Sequence, residues 1–344
     1  MVEIVSENED LGAFLAANAA GDLSRILIAL AKASMDVARR IRRGPLGGAL
    51  HAEVGPDHDG VAQMALDVFA DETFVGGLKR AGVKGVASEE RDDVVALDAD
   101  GPFLVAIDPL DGSNNIEANV TIGTIFSVLD APSGALETAH FLQRGLRQRA
   151  AGFFVYGPHV AFVFTTGQGV SIATLDSEAD VYRVTTRRLE MPQASAMFSI
   201  NAANSRHWTA PVRAYVDDLV EGEEGPRGRD FNMRWTGSMV AEVYRILLTG
   251  GVYLYPEDSR EGYENGRLRL LYEASPVAYL IEQAGGAAID GYRRILAVEP
   301  RSIHVRTPLI FGSKDKVERV ARYYDDEAEA QRPPLFGKRG LLRR

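Results

Sequence analysis

The segment Phe103-Leu104-Val105-Ala106-Ile107-Asp108-Pro109-Leu110-Asp111-Gly112-Ser113 begins as an unbroken apolar run and ends in two acids, a glycine and a serine. The run is rich in strand formers and suits a buried strand ending at Asp108. Open α/β sheets present ligands at such carboxyl ends. Pro109 fixes its own φ and disfavours a helical Asp108, so the strand direction persists into the turn. Asp111 then returns towards the same edge, and Gly112 lets the backbone approach a ligand with no Cβ in the way. Two carboxylates three residues apart, with the Leu110 carbonyl between them, suit a hard cation such as Mg²⁺. The amides of Gly112 and Ser113 would then face a phosphate oxygen. Asp-Pro and Asp-Gly are also ordinary turn formers, and the hexapeptide alone fits a surface turn equally well. Ser88-Glu89-Glu90, just upstream, could supply further ligands or a base, although an isolated acidic pair is more often simply solvated.

Outward from this segment, the chain reads as an α/β protein. Leu23, Ile26, Leu27, Leu30, Ala31, Val37, Ala38 and Ile41 recur at helical spacing between Gly21-Asp22 and Gly44-Pro45. A second helix is expected over 62–79. Successive strands are expected over 124–129, 152–156, 160–165 and 170–175, with Gly157-Pro158 and Gly167-Gln168-Gly169 as hairpin turns. The polar segment 176–193 shows little periodicity, which puts a domain boundary near 193. Beyond it, a strand at 198–200, a helix at 238–248, a strand at 251–255 and a helix at 276–283 closed by Gly285-Gly286 give a layered α/β domain. The expected organisation is 1–193, 194–330 and a basic, solvated tail at 331–344.

The length of 344 residues allows two sizeable cores, and 46% hydrophobic with 25% charged residues is ordinary globular composition. The acidic start, Met1 to Asp10, has no basic-then-apolar secretory pattern, and Arg25 and Lys32 interrupt the apolar stretch 26–30. A cytoplasmic protein without a membrane partner is expected. The absence of cysteine excludes disulfides, thiolate metal sites and thiol switching, so any metal must be held by oxygen or nitrogen. A formal charge of −10 argues against a nucleic-acid partner.

Ser-Glu-Glu at 88–90, Asp-Pro-Leu-Asp-Gly-Ser at 108–113, Gly-Thr-Ile-Phe at 123–126 and Ala-Ala-Gly-Phe-Phe-Val-Tyr-Gly at 150–157 resemble class I fructose-1,6-bisphosphatase. Phe-Ser-Ile-Asn at 198–201, Gly-Ser-Met-Val-Ala at 237–241, Gly-Gly-Val-Tyr-Leu-Tyr-Pro at 250–256 and Gly-Arg-Leu-Arg-Leu-Leu-Tyr-Glu at 266–273 continue the resemblance in the family's order. It implies the layered α-β-α-β-α sugar-phosphatase fold, with an N-terminal regulatory-type domain and a C-terminal substrate domain. It implies a metal cluster of Glu89, Glu90, Asp108, the Leu110 carbonyl, Asp111 and Glu273 holding two or more Mg²⁺, with Mn²⁺ as a substitute. Asp67 matches a family carboxylate that helps activate water through Glu90.

The resemblance further implies a sugar-bisphosphate partner. The 1-phosphate of fructose 1,6-bisphosphate would be hydrolysed by a metal-activated water, with Asp67, Glu90 and Asp108 catalytic and Asp111, Gly112 and Ser113 on the phosphoryl group. Asn204, Tyr255, Arg267 and Arg269 fall at substrate positions. The family's usual Lys and two Tyr are here Arg267, His207 and Trp235, which leaves the distal phosphate site altered. Arg234 matches an arginine that reaches a neighbouring subunit's site, so a homo-oligomer, a tetramer, is implied. AMP-inhibited relatives carry a Lys-Tyr pair and an Arg where this chain has Pro102, Phe103 and Asp130; beside the Gly21-to-Ser24 loop this leaves a degenerate AMP pocket. The alternatives are a sedoheptulose-1,7-bisphosphatase or a dual-specificity enzyme, an inositol-phosphate relative, against which Leu271-Tyr272-Glu273 counts, and a non-catalytic sugar-phosphate sensor.

Overall fold

The computed structural model describes residues 4–47, 53–56 and 62–330; the basic segment 331–344 lies outside them. Seven α-helices are described: α1 (Leu11–Asn18), α2 (Gly21–Arg43), α3 (Ala65–Arg80), α4 (Ala210–Val220), α5 (Met239–Thr249), α6 (Ser275–Gln283) and α7 (Lys314–Ala330). Among the described residues no helix is long and apolar enough to cross a membrane. In α2 the apolar stripe expected from the sequence is the buried one, with Asp22 in its first turn and Arg40, Arg42 and Arg43 in its last, each matching the helix dipole.

A nine-stranded sheet runs in the order Ile4–Asp10, Val181–Leu189, Val170–Asp176, Val160–Thr165, Ala150–Tyr156, Ile122–Asp130, Phe103–Asp111, Gly85–Ser88, Val95–Ala96. A five-stranded sheet runs Asn232–Met233, Met197–Ser199, Val252–Tyr255, Leu309–Ser313, Gly286–Ile289. Both faces of the first sheet are covered. Phe126, Phe154, Phe162 and Phe164 pack with the apolar residues of α1, α2 and α3. The alternate residues Ile125, Phe153, Val155 and Val163 pack with α5 and α6. Tyr253 and Phe311 bring the second sheet onto the other side of α5 and α6, and its outward residues Val252, Leu254 and Ile310 carry α4 and α7. The layering is therefore α-β-α-β-α, as the resemblance implies.

The strand expected to end at Asp108 runs on to Asp111. Asp108 pairs with Ile125 and Asp111 with Gly123, so one strand spends an extra residue: a β-bulge. Pro109 is tolerated there because the bulge asks for no ladder donor. Segment 176–193 is not irregular throughout: Val181–Leu189 is a strand, with Tyr182, Val184 and Thr186 buried in alternation. Interleaved Arg and Thr hide that period of two. The helix expected from 62 begins at Ala65, because Ala62–Met64 pairs with Glu53–Pro56 as a small ribbon.

Candidate active site

Three carboxylates that are remote in sequence meet at the C-terminal end of the Phe103–Asp111 strand. Asp108, Asp111 and Glu273 each place an oxygen within 4.8 Å of the others. Asp108 Oδ1 accepts the Leu110 N–H at 3.0 Å, which folds the carboxylate over the bulge. Opposite, the buried Thr124 hydroxyl donates to the Pro109 carbonyl at 2.8 Å and therefore accepts from the Tyr156 hydroxyl at 2.9 Å. Burial pushes the Tyr156 hydroxyl well above its ordinary pKa, so it stays a donor. The bulge is thus fixed from beneath by a directed pair of hydrogen bonds. Asp111 Oδ2 accepts the Val240 N–H at 3.0 Å, in the first turn of α5, where the helix dipole favours an anion. That approach requires Gly123: a Cβ there would lie 2.2 Å from the Phe154 carbonyl and 2.7 Å from Val240. Glu273 lies in a π-helical turn, Leu270–Ala274, that leads into α6, and accepts the Arg269 N–H. Such turns re-aim a side chain by one extra residue.

Glu89 and Glu90 follow the neighbouring strand Gly85–Ser88, and their turn is held by groups the sequence reading did not select. Asp71 of α3 is buried, and its two oxygens take the Ser88 hydroxyl and Arg91 Nε, each at 2.6 Å. The Ser88 hydroxyl also accepts the Glu90 N–H at 3.3 Å, and the Arg91 carbonyl accepts His304 Nε2–H at 3.0 Å. Glu89 lies beside Arg269, whose Nε donates to it at 3.3 Å and whose Nη1 donates to the His304 carbonyl at 2.9 Å. Arg269, expected on the substrate, is buried and spends these donors on Glu89 and the His304 carbonyl. Asp67 is buried in the first turn of α3, where Oδ2 accepts the Met64 N–H at 2.8 Å.

The cluster is electrostatically incomplete by itself. Burial pushes Glu89 up to about 7, against the pull of Arg269, and Glu90 raises it further. Burial likewise lifts Asp111 to about 6 although the Val240 and Met239 amides oppose it. Asp108 and Glu273 are raised well above the carboxylate range by burial and then by Glu89 and Asp111. Oxygen ligands, crowding and burial together describe a site for hard divalent cations, which would make the ionised form tolerable.

The other expected residues gather beside the second sheet. Asn204, Tyr255 and Arg267 line one small pocket, together with Trp208. The Arg267 guanidinium lies 4.5 Å from the Tyr263 ring centre. Trp235 packs with its ring parallel to Tyr253 and Tyr255, 5.9 Å from each, the two tyrosines being 6.1 Å apart. His207 Nε2 accepts Arg206 Nε–H at 2.9 Å. Arg234 is exposed. Gly112 takes a left-handed φ of 84° and opens the turn Ser113–Asn115, which Asn115 Nδ2 ties to the Gly237 carbonyl at 3.0 Å.

The family model described as fructose-1-6-bisphosphatase, N-terminal domain, matches residues 10–187, and that of the C-terminal domain matches 191–325. A fructose-1,6-bisphosphatase class 1 of Methylorubrum extorquens is 50% identical over 323 residues, 94% of this chain and 93% of its own. One from Paracoccus denitrificans is 51% identical over 315 residues, 92% of this chain and 94% of its own. The crystal structure of Leishmania major fructose-1,6-bisphosphatase in holo form is 31% identical and superposes with a TM-score of 0.87 over 93% of this chain and 99% of its own. With the two domain models together matching most of its length and half the residues shared with such relatives, the chain belongs to the class 1 fructose-1,6-bisphosphatase family.

Proposed function

We propose that the 1-phosphate of fructose 1,6-bisphosphate is hydrolysed at the acidic cluster, with Glu89, Glu90, Asp108, the Leu110 carbonyl, Asp111 and Glu273 as the ligands of two or more Mg²⁺. The convergence of Asp108, Asp111 and Glu273 carries this reading. Bound there, divalent cations would lower the pKa of water and neutralise phosphoryl charge. The chain's own groups do the rest. The Gly112 and Ser113 amides orient the phosphoryl oxygens, which the left-handed Gly112 lets approach the backbone. The Glu90 carboxylate takes the proton of the attacking water, and the buried Asp67 carboxylate supports that transfer. Arg267, Tyr255 and Asn204 hold the distal phosphate at the second sheet. Arg234, exposed, reaches a neighbouring copy in a tetramer. We assign residues 1–193 to the domain that carries most of the metal ligands and a degenerate AMP-type pocket, and 194–330 to the sugar-phosphate-binding domain, which adds Glu273, in a cytoplasmic enzyme.

Asp108→Asn is expected to abolish phosphate release in Mg²⁺ while leaving the thermal unfolding transition in place; retained turnover ends the assignment. A second reading is favoured by the altered distal site. Trp235 packs against Tyr253 and Tyr255 and offers only an indole N–H, and His207 Nε2 accepts from Arg206, so these two positions present different donors to a phosphate from the family's tyrosines. Hydrolysis of sedoheptulose 1,7-bisphosphate at a comparable kcat/KM is the outcome this supports.

A further inference from the structure

In this chain of net charge −10, several buried or half-buried cations find carboxylates: Arg91 pairs with Asp71, Arg183 with Asp176, Arg260 with Asp258 and Arg294 with Glu282. A group of four at the second sheet is arranged differently. Around Phe231, beside the edge strand of the second sheet, lie the Arg229 guanidinium at 4.7 Å, the Arg227 guanidinium at 4.9 Å and Lys316 Nζ at 5.1 Å from the ring centre. Arg319, one turn along α7 from Lys316, adds a fourth cation whose field reaches Lys316. Among the described residues none of the four pairs with a carboxylate. Of the nearby acids, Asp218 accepts the Tyr323 hydroxyl, Asp230 accepts the Glu223 N–H at 3.3 Å, and Asp315 alone acts on Lys316 through its field.

We propose that Arg227, Arg229, Lys316 and Arg319 form a second anion-binding site, on the outer face of the second sheet, for a phosphate-bearing small molecule. Lys316 is only 5% exposed and lies in the first turn of α7, where the helix dipole is positive as well. A buried ammonium at such a place, crowded by three guanidinium groups, is unfavourable until an anion arrives. Burial, and then Arg229, Arg227 and Arg319, hold it down to about 8, against Asp315. Phe231 supplies the platform that keeps the cations converged by cation–π attraction. Arg229 spends Nη2 on the Ser195 carbonyl at 2.6 Å, which leaves the Arg227 and Arg319 forks and the ammonium to match the oxygens and double charge of a phosphate better than a single carboxylate. Arg229 and Arg319 are exposed, which leaves the site open to a solute. Four charges form too small a footprint for a nucleic-acid backbone on a chain this acidic. The site is separate from the cluster of Asp108, Asp111 and Glu273: Phe231 packs with the α4 and α7 core, on the opposite side of the second sheet from α5 and α6.

The test is calorimetric titration of the full chain, kept in chelator so that the acidic cluster repels anions, with inorganic phosphate and with pyrophosphate. Arg229→Gln/Arg319→Gln is expected to weaken binding by about tenfold or more, while kcat and KM for fructose 1,6-bisphosphate at low phosphate stay unchanged. Lys316→Met, which replaces the stranded ammonium by an apolar chain, should raise the melting temperature without phosphate and remove the further rise that phosphate gives. Equal phosphate affinity in wild type and double variant overturns the proposal. So does a shift in sedimentation of the double variant at unaltered phosphate affinity, which would give the patch to acids of a second copy.

Discussion

Removing protons from the acidic cluster should be the main cost of loading it with metal, and the cost can be sized. Glu89 is raised from 4.5 to about 7 and Asp111 from 3.8 to about 6. Because both values are raised in the folded state, the metal-free protein keeps that stabilisation below about pH 4 and loses it as pH climbs through 6 to 7. Mg²⁺ needs the ionised form, so its binding should run the opposite way. At pH 6 protons compete roughly elevenfold at Glu89 and twofold at Asp111, and at pH 8 hardly at all. Mg²⁺ affinity should therefore fall on the order of tenfold or more from pH 8 to pH 6, about 1–2 kcal/mol; the raised Asp108 and Glu273 steepen the slope. Isothermal titration of chelator-stripped protein at pH 6, 7 and 8, in buffers of different ionisation heat, measures affinity and released protons together. Glu89→Gln should flatten the profile. Affinities within twofold of each other across that range, or binding without proton release, would refute the electrostatic account.

Asp71→Asn should weaken Mg²⁺ binding by about tenfold and leave KM for the sugar little changed, since Asp71 orients the Glu89-Glu90 turn through Ser88 and Arg91; titration calorimetry beside steady-state kinetics separates the two. Thr124→Val removes the donor to the Pro109 carbonyl and strands the Tyr156 hydroxyl, so denaturant unfolding should show a loss of about 1–3 kcal/mol. AMP should not inhibit at micromolar concentration, because Asp130 stands 3.5 Å from Arg149 where AMP-regulated relatives offer an arginine of their own; a rate assay with and without AMP decides it.

Much of the first sheet was legible because its strands are buried on both faces and read as apolar runs between glycine turns, as in Ala150–Tyr156 and Val160–Thr165. Val181–Leu189 escaped since one of its faces carries Arg183 and Arg187 into ion pairs with Asp176 and Glu9. At the site, Asp108 and Asp111 announced themselves as two acids closing an apolar strand. Glu273 did not: in Leu270-Leu271-Tyr272-Glu273 local sequence predicts a helix start, and only the family resemblance selected it. Asp71 had a usable signal. Asp67 and Asp71 fall on the face of α3 that buries Leu66, Ala70, Phe74 and Leu78, and an acid at a core-facing position must be bound to something.

The Asp111 carboxylate belongs to the first sheet but is gripped by α5, and Glu273 precedes α6; both helices fill the space between the sheets. Coordination tolerates only a few tenths of an ångström. Any shear of one slab over the other would therefore separate Asp108 from Glu273 before it opened a gap in the core. The alignment of the two slabs and the readiness of the acids to share an ion are one mechanical variable. A ligand that shifts that alignment would act on turnover without touching the substrate.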